Sequence, residues 1–68
     1  MPTSSTIDMP RALLAAHQRA IIAALVGREK MTDYDWHYIE GKVGRLDAKA
    51  RNVVEGEFYS RLNREVDK

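Results

Sequence analysis

His17 and His37 are the two imidazoles of a 68-residue chain that has no cysteine. Without a thiol there is no thiolate nucleophile, no disulfide framework and no Cys-based zinc site. Acid–base or metal chemistry would have to begin at histidine. His17 falls among leucines, isoleucines and alanines. A histidine so placed is expected to be a hydrogen-bonded core or interface group rather than a general base, and its protonation would make an apolar contact pH-sensitive. His37 follows Asp33 by four residues, which puts both on one helix face. Two ligands fall short of a zinc site, and a helix-surface pair explains the spacing as well. Thr3, Ser4, Ser5 and Thr6 stand in the N-terminal tail, and Gly41, Gly44 and Gly56 lack the pattern of a phosphate-cradling loop. The expectation is a non-enzyme with no cofactor and no metal.

Two further constellations speak of binding. Lys42, Arg45 and Lys49 lie along one stripe, with Arg51 and Asn52 near its edge and Asp47 interrupting the run from Lys42 to Arg51, a clustering that phosphate contact requires. With a break near Asp47, residues 33–66 would take the form of a helix-turn-helix, with Lys49, Arg51 and Asn52 early in the second helix, where base contacts are made. The same residues also suit a solvated helix face flanking a heptad seam, with Glu40 and Asp47 at e and Lys42 and Lys49 at g. The aromatic cluster Tyr34, Trp36, Tyr38 is the second constellation. Trp36 follows the apolar stripe. Tyr34 and Tyr38 share an outer face with Arg45 beyond them, residue types enriched at protein–protein hot spots; alternatively their rings cover the loop before them.

The elements that would carry these residues are helical. Eleven basic and ten acidic side chains nearly cancel, which argues against a polybasic nucleic-acid binder. The apolar region 12–26 is interrupted by His17-Gln18-Arg19 and cannot supply the about 20 apolar residues a bilayer needs. No secretory signal pattern is present, so a cytoplasmic location is expected. Residues 1–7 read as a tail and 8–68 as a single helical domain. A first helix is predicted near 9–28, with Pro10 in its first turn and Gly27 at its C-terminal cap. Thr32 and Asp35 have the spacing of a capping box, and Met31 and Trp36 that of a hydrophobic staple. They predict a second helix from 33 to about 66. Trp36, Ile39, Val43, Leu46, Ala50 and Val53 follow heptad spacing along it, while Gly41, Gly44 and Asp47 leave open a break at 44–47 into a three-helix arrangement.

The fold class expected is all-α: an antiparallel helical hairpin with a long second helix, associating as a dimer. In layout it resembles the small helical-hairpin RNA-binding repressors of plasmids, with no shared motif from which to carry a functional residue.

Apolar faces suggest where partners would sit. Leu13, Leu14, His17, Ala20, Ile21, Ala24 and Leu25 gather on one side of the first helix and are expected to face the core. Ile22 and Val26 lie opposite, as if a second molecule covered them. Rows of small residues, Ala12-Ala16-Ala20-Ala24 and Gly41-Gly44-Ala48, would let backbones approach closely. Past Val53 the apolar stripe rotates to Val54, Phe58, Leu62 and Val66, so this segment must fold back as a third helix or pack on another chain. The protein-binding residues expected are therefore Ile22, Val26, Tyr34, Tyr38, Phe58, Tyr59 and Leu62. A chain this short removes only about 60% of its unfolded surface from water, which favours association. The expected function is that of a small regulator, adaptor or inhibitor that occupies a surface of another protein, as a homo-oligomer and away from membranes. Nucleic-acid regulation through Lys42, Arg45, Lys49 and Arg51 is the alternative.

Overall fold

The computed structural model describes residues 7–67. Among them the chain forms three helices and no strand: α1 (Met9–Leu25), α2 (Asp33–Val43) and α3 (Ala48–Val66). The all-α class holds. The long second helix does not: it is two helices, and both pack on α1. Of the tail expected over 1–7, only Ile7 lies within the described residues, and it is half-buried against the core.

Local chemistry sets each boundary. Asp8 caps α1 by accepting from the Arg11 amide, and Pro10 occupies the first turn, where its missing N–H is not needed. At the other end Gly27 takes φ 77°, and the Arg28 and Gly27 amides donate to the carbonyls of Ala23 and Ala24. That is the double bond pattern by which a left-handed glycine closes a helix. α2 opens with the expected capping box: Thr32 Oγ1 accepts from the Asp35 amide, and the Asp35 carboxylate accepts from the Thr32 amide. It stops at Gly44, whose φ of 91° and ψ of 180° lie in a region essentially confined to glycine. The Leu46 amide is taken up by Glu40, and Asp47 caps α3 by accepting from the Ala50 amide at 2.8 Å. The turn at 44–47 is thus satisfied on both sides, and heptad continuity through it is lost: Leu46 is buried but Val53 is exposed.

The core corrects the expected orientation of α1. Its buried residues are Ala12, Ala15, Ala16, Ala20 and Ala23, which meet Ile39 of α2, Leu46 of the turn, and Val54, Phe58 and Leu62 of α3. Leu14 and Leu25, assigned to the core by the helical wheel, are 57% and 80% exposed. The physical reason is the size of the partners. Phe58, Leu62 and Ile39 project far enough to fill the space only if α1 offers methyl groups in return, since interiors close at fixed packing density. The alanine row does permit close approach; the glycine row does not, for Gly41, Gly44 and Ala48 are exposed and no atom beyond the local helix lies within 4 Å of where a Gly41 Cβ would sit.

Candidate functional site

Polar anchors fix the rotation of α1, and that rotation determines what the protein shows to solvent. Arg19 points inward and donates from Nε to Asp35 at 2.6 Å. Arg28, just past the end of α1, donates to the same carboxylate at 2.7 Å and to the Lys30 carbonyl. Asp35 is fully buried between them. Burial would push its carboxyl up, but hydrogen bonds from Arg28, the Thr32 amide and Arg19, with the Arg19 charge, hold it at about 2. On the other flank of α1 the His17 imidazole pairs with Glu57 of α3. With Arg19 tied toward α2 and His17 tied toward α3, the face lying between these two anchors on the side away from the alanines must look outward.

That face carries Leu14, Gln18, Ile21 and Leu25, spaced four, three and four residues apart, the rhythm of a coiled-coil seam. Leu14, Gln18 and Leu25 are exposed and Ile21 is half-buried. Between Leu13 and Leu25 the ionisable groups of α1 are His17 and Arg19, and both are engaged elsewhere. The outward face is apolar, with one amide in its middle and no unpaired charge between its leucines. Ile22 and Val26 continue it toward α2 at 41% and 64% exposure. These two were expected at a surface; Leu14, Ile21 and Leu25 were missed because the wheel was anchored on hydrophobicity. The usable signal was Arg19, which lies across the helix from Leu14 and Ile21.

The remaining expected residues separate into engaged, buried and free. Tyr34 and Tyr38 bracket the Arg19 guanidinium, at 5.0 and 5.4 Å from the two ring centres, and the Lys42 ammonium lies 5.1 Å from the Tyr38 ring. Their faces are thus shared with cations, although Tyr34 stays mostly exposed. Phe58 and Leu62 belong to the intramolecular core, so the stripe past Val53 folded back rather than waiting for another chain. They offer a partner no surface. Tyr59 is half-buried, packs edge-on against Phe58, and accepts at its hydroxyl from the Met31 amide at 3.2 Å.

No family model, curated protein or solved structure matches the chain. Its residues alone carry the functional reading.

Lys42, Arg45, Lys49 and Arg51 are all exposed, around the turn between α2 and α3. Arg51 is stacked on Trp36, 4.6 Å from the ring. Among the described residues the helix packing runs from α1 to α2 and from α1 to α3, and a short turn beginning at Gly44 joins α2 to α3. His37 and Asp33 are exposed, and among the described residues no group of three or more His, Cys, Asp or Glu could hold a metal ion. Among the same residues no helix is long and apolar enough to cross a membrane.

Proposed function

We propose that this chain is a non-enzymatic regulator, adaptor or inhibitor that works by protein–protein contact, and that its working surface is the outward aliphatic face of α1. One observation carries the reading: α1 buries its alanines and leaves Leu14 and Leu25 in water. Full burial of a leucine is worth roughly 1.5–3 kcal/mol, and the isolated fold forgoes most of that at Leu25 and about half of it at Leu14. Contiguous exposed aliphatics on one helix face are the usual mark of an interaction surface, whereas single scattered ones are not. A cytoplasmic setting is part of the proposal.

The test is capture from a nuclease-treated cell extract by the immobilised chain and by a Leu14→Glu, Leu25→Glu variant. A protein retained by the native chain and lost with the variant is the expected result. Retention by both overturns the reading, as does retention by neither when the chain also fails to self-associate.

A second reading, nucleic-acid regulation, is favoured by the exposure of Lys42, Arg45, Lys49 and Arg51 around a single turn. Phosphate contacts strengthen as salt falls, so binding to a DNA or RNA fragment in low salt, weakened by Lys42→Ala and Lys49→Ala, is what this reading requires.

A further inference from the structure

We infer that the partner seated on the outward face of α1 is a second copy of this chain, aligned parallel and in register, with the two Gln18 side chains facing each other across a two-fold axis. This rests on the reading of that face as a docking surface and adds its occupant.

Three features select a copy over an unrelated protein. The first is the spacing. Leu14, Gln18, Ile21 and Leu25 follow the four-three-four rhythm in which one helix presents rungs to another of the same rhythm, and an identical α1 supplies that match by symmetry. The second is charge. A face with no unpaired charge between Leu14 and Leu25, on a chain of net charge +1, meets its own copy without repulsion and has nothing with which to select a charged partner. The third is Gln18, the lone polar group of the stripe, which is exposed. Covered by an apolar partner, its amide would be left unsatisfied. Opposite its twin, each side chain can donate an N–H to the other's carbonyl oxygen, the role that a single polar residue plays in fixing strand number and register in coiled coils. An antiparallel pairing would set Gln18 against Ile21 and lose this match. The one adverse contact is Arg11 against Arg11, in the exposed first turn, where salt screens it.

The interface is small. One helix face with three apolar rungs falls short of the about 800 Å² per partner of a standard stable interface, which places the dimer in the weak class with dissociation at micromolar concentration. Sedimentation of the native chain from about 1 µM to about 1 mM should therefore show a monomer–dimer transition. The Leu14→Glu, Leu25→Glu variant should remain monomeric with unchanged helical circular dichroism, since both side chains lie outside the core. The absence of native cysteine makes register directly readable: Gln18→Cys and, separately, Leu14→Cys should each form a disulfide-linked dimer on mild oxidation, while Asn63→Cys, exposed on α3, should not. Cross-linking at position 18 without position 14 overturns the parallel register. A native chain that stays monomeric yet captures another protein through Leu14 and Leu25 overturns the second copy alone. One that neither self-associates nor captures overturns the docking surface as well.

Discussion

Asp35 does two jobs that ordinarily belong to different residues. Its carboxylate closes the capping box on Thr32 and also receives Arg19 and Arg28 from the neighbouring helix and loop. Because it is fully buried, removing it strands two guanidinium groups in a site built for an anion. Asp35→Ala should destabilise the fold by about 3–5 kcal/mol in urea titrations at neutral pH, more than loss of a cap alone, which costs about 1 kcal/mol. The same residue governs acid behaviour. Its folded pKa of about 2 lies below the ordinary 3.8, so its contribution is complete above the higher value and disappears as the pH falls from about 4 through about 2. The difference amounts to about 2 kcal/mol. Unfolding followed by circular dichroism across that window should show a decline that Asp35→Asn flattens; an identical acid limb in the variant would assign the decline to other carboxylates.

At the scale of elements, the turn at 44–47 decides whether there are two helices or three. Gly44→Ala should cost about 1–3 kcal/mol, because its backbone angles exclude a β-carbon. Gly56→Ala, inside α3 with open space around it, should instead stabilise by about 0.4–1 kcal/mol. The pair measured by thermal melts separates a glycine that makes a turn from one that merely sits in a helix. These boundaries were legible in the sequence to different degrees. Thr32 and Asp35 announce the start of α2 through contacts three residues apart, and Pro10 and Gly27 frame α1 in the same local way. The break at Gly44 was visible only as an alternative, because the heptad stripe from Trp36 to Val53 argued for continuity. What decided against it is non-local: Val54, Phe58 and Leu62 can be covered by α1 only if α3 starts afresh at Asp47. The outward face of α1 was hidden for a related reason. Hydrophobicity turns Leu14 and Leu25 inward, while the ion pair of Arg19 with Asp35, sixteen residues apart, turns them out.

For the whole molecule, the consequence is a core built around methyl groups. α3 supplies bulk through Phe58, Leu62 and Val54, and α1 supplies proximity. Ala16→Leu should therefore destabilise by about 1–3 kcal/mol through overpacking. Leu14→Ser, measured below the concentration of self-association, should stay within about 0.5 kcal/mol of the native chain. Chemical denaturation of the two variants checks this directly, and a reversed order would mean that α1 is rotated from the orientation described. Trp36 is the chain's single tryptophan, and it sits on α2 beneath the guanidinium of Arg51 on α3. Its emission is thus an intrinsic optical gauge of the distance between these two helices, whose packing otherwise passes through α1. Colour and intensity changes that precede the loss of helical signal on heating would register α3 parting from α2 before the helices melt, with no dye or label attached.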